Sequence, residues 1–340
     1  MIFIDACFKK PTPTAPIWLM RQAGRYLSEY RATRAKAKNF IDFCRRSDLA
    51  AEATLQPIDI LDADAAIMFS DILVVPLEMG IQVEFVEKTG PVLPSPIRTE
   101  SDIDRLADDS ADRLEYVYET LKITRRALAA DKALIGFAGS PWTLATYMIE
   151  GGGSKNYAIA KKMAYSNPDL LHKLLRKLSV AIGDYLLRQI DAGADAVQIF
   201  DSWGGALEKS AFFEFDWRYT TQIADRVKSE RPNTPVIIFG KGAGGYLEAI
   251  DGAFEVFGAD WNTPMERAKS ALFDRYALQG NMEPARLYDK KAIEIGAREL
   301  ARIMGKENGY IFNLGHGMQP DFSLDNVKFL IDFVRQIFAR

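Results

Sequence analysis

The sequence predicts an α/β protein folded as a single closed (β/α)8 barrel with an inserted β-hairpin, and three observations predict it. Eight short, β-prone apolar runs recur along the 340 residues, and amphipathic helical stretches fill the intervals between them. No internal repeat, low-complexity tract or Pro-rich linker divides the chain, so residues 1–340 form one expected domain. With 48% hydrophobic and 26% charged residues, the composition is that of a globular protein able to bury a core without staples.

In chain order, the runs are Ile17 to Met20, Ala65 to Phe69, Leu134 to Ala138, Ala196 to Phe200, Val236 to Phe239, Glu255 to Ala259, Tyr276 to Leu278 and Tyr310 to Leu314. Between the second and third, residues 82–93 alternate polar and apolar around Lys88-Thr89-Gly90, which reads as a hairpin added to the barrel. Residues 100–115 carry Asp102, Asp104, Asp108, Asp109 and Asp112, which reads as a solvated helix face. Residues 170–192 place Leu171, Leu174, Leu175, Leu178, Ile182 and Leu186 at spacings of three and four, the stripe of a helix packed on a sheet. His172 lies in that helix among Lys173, Arg176 and Lys177 and reads as a surface residue.

A net charge of −3 argues against a general grip on nucleic acid. Charge is nevertheless uneven. Ten Lys or Arg fall between Lys9 and Arg46 against Glu29 and Asp42, so this segment carries +8 and the remainder −11. Such a stretch either forms a solvated helix face, as Arg31 to Arg46 could, or attracts an anion locally. Two cysteines, Cys7 and Cys44, make neither a disulfide framework nor a metal cluster and suit the cytoplasm. The N-terminus has no signal-peptide pattern, and no apolar run reaches the roughly 18 residues of a membrane span, so neither export nor insertion is expected.

In a barrel of parallel strands, chemistry collects at the carboxyl ends. Polar residues follow the runs there repeatedly: Arg21-Gln22-Ala23-Gly24-Arg25 after the first, Ser70-Asp71 after the second, Gly139-Ser140-Pro141-Trp142 and on to Tyr147 after the third, Asp201-Ser202-Trp203 after the fourth, and Gly315-His316-Gly317 after the eighth. Arg21 and Arg25 suit either carboxylate recognition or a salt bridge at a helix start. Asp71 is either a strand-end cap or a buried anion awaiting a partner, since an unpaired buried carboxylate is unfavourable. His316, between glycines, is the better functional candidate of the two histidines. With no His and Cys spacing of the usual kinds, no zinc site is expected, and Gly139-Ser140-Pro141 fails the hydrolase nucleophile pattern. Gly240-Lys241-Gly242-Ala243-Gly244-Gly245 after the fifth run, with Asp260 beyond the next, fits a dinucleotide-binding fingerprint, or else marks a loop at the barrel mouth. Gly151-Gly152-Gly153-Ser154-Lys155 lacks phosphate-loop spacing and reads as a mobile loop.

The strings PIWLMRQAGRY (16–26), FSDIL (69–73), GSPWTLATYMIEGGGSK (139–155), FDSWGG (200–205), QGNMEP (279–284) and NLGHG (313–317), in this order, closely resemble the uroporphyrinogen decarboxylase family. The resemblance implies a single (β/α)8 TIM barrel, a homodimer, and a reaction needing neither metal nor organic cofactor. That reaction removes the four acetate carboxyls of uroporphyrinogen as carbon dioxide, giving coproporphyrinogen in haem biosynthesis. By position, the resemblance implies that Arg21, Gln22, Ala23, Gly24 and Arg25 form a substrate-carboxylate loop. It makes Asp71 the central catalytic anion, Tyr147 and Ser202 polar contacts near the reacting arm, His316 a further substrate contact, Phe200 part of the apolar wall, and Arg21 a candidate proton donor. A carboxylate offers about four lone-pair sites, enough for Asp71 to accept the pyrrole N–H groups of a folded porphyrinogen together. The basic N-terminal stretch would then funnel a substrate bearing eight carboxylates.

After His316 the family continues with an apolar residue and a Thr-Pro or similar turn, whereas Met318-Gln319-Pro320-Asp321-Phe322 follows here, leaving the last loop's geometry open. Three rival readings stand beside this one. A corrinoid-dependent methyltransferase of the same fold would place zinc-binding His and Cys near residues 238–242, where this chain has none. A nicotinamide-dependent oxidoreductase rests on the glycine pattern alone. A tetrapyrrole-binding protein would need the arginines but gain little from Asp71.

Overall fold

The computed structural model describes residues 1–86 and 89–340. Nine strands occur along the described chain: β1 (Ala65–Ile67), β2 (Glu84–Val86), β3 (Gly90–Val92), β4 (Ala133–Gly139), β5 (Ala196–Asp201), β6 (Val236–Gly240), β7 (Val256–Ala259), β8 (Ala277–Gln279) and β9 (Tyr310–Ile311). Seven of them form one curled parallel sheet in the order β1-β4-β5-β6-β7-β8-β9. The sequence Val236-Ile237-Ile238-Phe239-Gly240 is apolar throughout because both faces of a parallel strand are covered, and every residue of β6 is buried. Successive side chains point to opposite faces. One set meets the surrounding helices; the other, including Ala133, Ile135, Ala196, Ile237, Phe239 and Val256, gathers with Trp18 and Met20 inside the curl.

The first expected strand is realised only in part. Ile17 makes a single parallel bridge to Phe312, while its N–H donates to the Asp64 side chain at 2.8 Å and its carbonyl accepts from Asp64 N–H at 2.8 Å. The segment thus lies between the two edges of the sheet. Pro16, lacking an N–H, and the left-handed backbone of Arg21 (φ 63°) confine regular pairing to a short stretch. Inside the curl, Trp18 Nε1 donates to Gln279 and Gln279 Nε2 donates to Gln198, so the buried polar groups are linked in a chain.

The long helix Pro168–Asp191 buries Leu171, Leu174, Leu175, Leu178, Ile182 and Leu186, the stripe that its spacing predicts. Its His172 is not a free surface residue: the ring lies half-buried, within 2.8 Å of Tyr219 Oη and 3.2 Å of Glu214. The acidic run is solvent-exposed, as expected, but is not one helix. It breaks into the helix Glu100–Asp104 and a 3-10 turn Ser110–Arg113, and its carboxylates pair across space with Lys173, Lys177 and Arg188 of the long helix. β2 and β3 pair antiparallel as a separate two-stranded sheet; Lys88 of the expected turn lies outside the described residues.

Candidate active site

A cavity of about 470 Å³ opens where the loops leave the carboxyl ends of the curled sheet, a size that suits a small molecule. Of the residues singled out in the sequence, Arg21, Ala23, Gly24, Arg25, Asp71, Tyr147, Ser202 and His316 all line it, as does Phe200. Gln22 does not. Only 1% exposed, it accepts from Leu19 N–H and donates to the Ala65 carbonyl, clamping the turn to β1. Tyr26 Oη closes the same turn on the Gln22 carbonyl. This clamp holds Arg21 at positive φ, a conformation that disfavours a side chain by about 1 kcal/mol.

The last loop completes the arrangement. Met318 N–H donates to the Met20 carbonyl at 2.9 Å, fixing Gly317 against Arg21, where a β-carbon would overlap the arginine stem. Glycine there is a requirement of close approach. Asp71 follows β1 and lies half-buried in the cavity wall, with Leu73 N–H donating to Oδ1 at 2.8 Å. Among the described residues, no cation forms an ion pair with it. Burial raises its carboxyl above the ordinary range, against the pull of the Leu73 N–H and the Arg21 charge.

Burial, then the positive charges of Arg21 and Lys241, push His316 down to about 4, so its imidazole is neutral at pH 7. Burial, reinforced by Asp71, likewise raises the Tyr147 phenol well above its usual value, while Arg21 acts in the opposite sense. Arg21 therefore senses Asp71, Tyr147 and His316 together. Tyr147 projects from the helix Pro141–Glu150, whose start is capped by Ser140 accepting from Thr143 N–H. Phe200 and Phe239, opposite one another in β5 and β6, add an aromatic wall with ring centres 5.9 Å apart.

Some site residues were not legible in the sequence. Phe40, Phe85 and Pro91 close one side, brought there by the helix Phe40–Arg45 and the two-stranded sheet; the polar-apolar alternation around Phe85 is the one signal that marks it for burial. The basic stretch is partly consumed structurally, since Lys36, Arg45 and Arg46 pair with Glu52, Glu78 and Asp48.

The glycine fingerprint has a packing explanation. Gly205 lies so close to the loop after β6 that a β-carbon would come within 2.6 Å of Gly242 Cα and 2.8 Å of the Lys241 carbonyl. Asp260 caps this loop, accepting from Gly242 N–H at 3.1 Å and from Thr263 Oγ1 at 2.6 Å. Gly205→Ala should lower stability by roughly 1–3 kcal/mol, because the obstacle is backbone; an unchanged melting temperature would show that the two loops separate. The glycines at 151 and 152 are structural as well: Gly151 ends the helix at φ 85°, and Gly152 bridges to Val92. Among the described residues, no group of three or more His, Cys, Asp or Glu is placed to hold a metal ion.

A curled parallel sheet with its cavity at the strand carboxyl ends, lined by arginine and by one unpaired carboxylate, defines an α/β enzyme acting on a small molecule. Comparison with known proteins places it within that class. A family model described as Uroporphyrinogen decarboxylase matches residues 2–337. Proteins of that name from Campylobacter lari and Wolinella succinogenes are 57% identical over 99% of both chains and 56% identical over 100% of both. The chain belongs to the uroporphyrinogen decarboxylase family. A methyltransferase from Methanosarcina mazei shares the fold, with a TM-score of 0.81 at 20% identity over 99% of this chain and 98% of that one.

Proposed function

We propose that this chain is a carboxy-lyase that removes the four acetate carboxyls of uroporphyrinogen III as carbon dioxide, giving coproporphyrinogen III, without metal or organic cofactor. One observation carries the reading: the Asp71 carboxylate stands unpaired in a cavity that Arg21 also faces. An anion kept there without a protein partner is unfavourable in the empty site and becomes favourable when a ligand supplies donors and positive charge.

The macrocycle's four pyrrole N–H groups fold toward Asp71 and hydrogen-bond to its two oxygens. Protonation of a pyrrole carbon makes that ring cationic. The C–C bond to the carboxylate then breaks, its electron pair flows into the cationic ring, and carbon dioxide leaves. A second proton converts the exocyclic methylene to methyl as the ring proton departs, so each turn consumes one proton net. Asp71 stabilises the cation as it forms. Arg21, Ala23, Gly24 and Arg25 present donors to substrate carboxylates, with Gln22 bracing their turn. Tyr147, Ser202 and neutral His316 make polar contacts around the reacting arm, and Arg21 delivers the proton.

The Ile17 segment serves as the eighth member of a closed (β/α)8 barrel, with β2 and β3 an inserted hairpin in one domain spanning residues 1–340. The enzyme works as a cytoplasmic homodimer and binds no nucleic acid. No helix among the described residues is long and apolar enough to cross a membrane. Anaerobic incubation with uroporphyrinogen, followed by chromatography of the oxidised products, should yield the seven-, six-, five- and four-carboxyl species in succession. Unchanged starting material would refute the reading.

A further inference from the structure

Beneath the cavity wall lie two carboxyl groups that the reaction above does not use. Asp201 at the end of β5 and Asp216 are both completely buried. Asp216 sits on a π-helical turn, Phe212–Trp217, a wide-turn geometry frequent where a side chain must be re-aimed. A β-carbon at Gly204 would overlap both Asp201 Oδ2 and Asp216 Oδ2, so the two oxygens share the space under that residue. Among the described residues, neither Oδ2 atom has a hydrogen-bond partner if both groups are ionised. Two anions cannot remain so close without a donor between them.

The remaining oxygens divide the roles. Asp201 Oδ1 accepts from Gly204 N–H at 2.7 Å, Trp203 N–H at 3.2 Å, Thr143 Oγ1 at 3.2 Å and Ser140 Oγ at 3.4 Å. Among the described residues, Asp216 Oδ1 accepts from Thr220 Oγ1 at 3.4 Å, and the Ser140 hydroxyl lies near enough to favour its charged form slightly. The richer set of donors stabilises charge on Asp201 and leaves the proton with Asp216. Burial pushes both carboxyls up, and the charge of Asp201 pushes Asp216 further.

The segment held in this way carries two parts of the cavity. Ser202 lines it directly, and the Trp203 ring packs on Tyr147 with centres 4.0 Å apart. Trp142 Nε1 secures the Trp203 carbonyl at 3.0 Å. We propose that Asp201 and Asp216 hold a single proton between them, and that this carboxyl–carboxylate pair is a positioning device that sets Ser202 directly and Tyr147 through Trp203. The role in turnover rests on the decarboxylase reading; the shared proton does not.

In Asp216→Asn the amide nitrogen donates permanently where the proton stood, so kcat and KM should stay within about threefold of wild type. Asp216→Ala leaves Asp201 Oδ2 without its donor, and Asp201→Ala removes the acceptor of two backbone N–H groups. Each should lower kcat/KM by about ten-fold or more with uroporphyrinogen. Infrared difference spectra at pH 7 should show the carbonyl stretch of a protonated carboxyl in wild type, absent from Asp216→Asn. This measurement requires neither of the disruptive variants to fold. Absence of that band in wild type, or equal losses in Asp216→Asn and Asp216→Ala, would overturn the inference. A folded wild type inactive on uroporphyrinogen would overturn the reaction assigned above and the positioning role with it, while the infrared band would still report on the shared proton.

Discussion

Asp71→Asn should lower kcat for uroporphyrinogen about a hundred-fold, roughly 2.7 kcal/mol of barrier, the scale on which a preorganised charge stabilises a transition state. The substitution conserves size, and Asn Oδ1 can still accept from Leu73 N–H, so the loss isolates the charge. KM should change far less, because Arg21 and Arg25 remain to hold carboxylates. Stability should move the opposite way. The folded protein raises the Asp71 pKa, so the group binds its proton more tightly folded than unfolded, and folding is favoured as pH falls through the folded pKa. At pH 7, above the ordinary carboxyl range, the raised pKa counts against the folded state, and Asp71→Asn should melt higher than wild type. The difference should close under acid conditions, where the carboxyl is protonated in both states. A variant that keeps wild-type kcat, or melts lower at pH 7, would mean that Asp71 serves the fold and not the reaction.

Much of this arrangement is legible in the sequence because the loops leaving the sheet are short, so the functional side chains stand directly beside the apolar runs. Asp71 and Ser202 each follow a run that became a strand. The stripe of the helix Pro168–Asp191 is equally local, since spacings of three and four depend on nothing outside the helix. What escapes sequence reading depends on distance or direction. The acids at 100, 104, 108 and 112 are solvated as read, but nothing local shows that Lys173, Lys177 and Arg188 face them from a helix far along the chain. Gln22 sits in the same short string as Arg21 and Arg25, yet it turns toward the sheet as a clamp, and side-chain identity alone carries no orientation. Asp216 stands among Phe212, Phe213, Phe215 and Trp217, and only the fold brings it to Asp201. The glycines of residues 240–245 show the converse: their spacing is that of a nucleotide loop, while Gly242 is explained by the close approach of Gly205 and Gly244 by Thr263.

Arg21→Lys should lose about a hundred-fold in kcat while KM changes only a few-fold, because the charge survives and the planar fork does not. The structure explains why position matters as much as charge. Arg21 is held in the left-handed region, its stem passes across Gly317, and its charge registers on Asp71, Tyr147 and His316. A guanidinium is a weak acid in water; in the proposed reaction, beside the half-buried Asp71 and a nascent ring cation, it would hold a substrate carboxylate and one proton along a fixed line. Gly317→Ala tests this without touching the arginine, since the added methyl overlaps the Arg21 stem and must displace it. It should lower kcat in the same direction as Arg21→Lys, and the double variant should lose less than the product of the two single losses, because both act through one side chain. Independent, fully multiplicative losses would place Arg21 outside the reacting geometry, and an unchanged kcat in Arg21→Lys would remove it from the proton transfer.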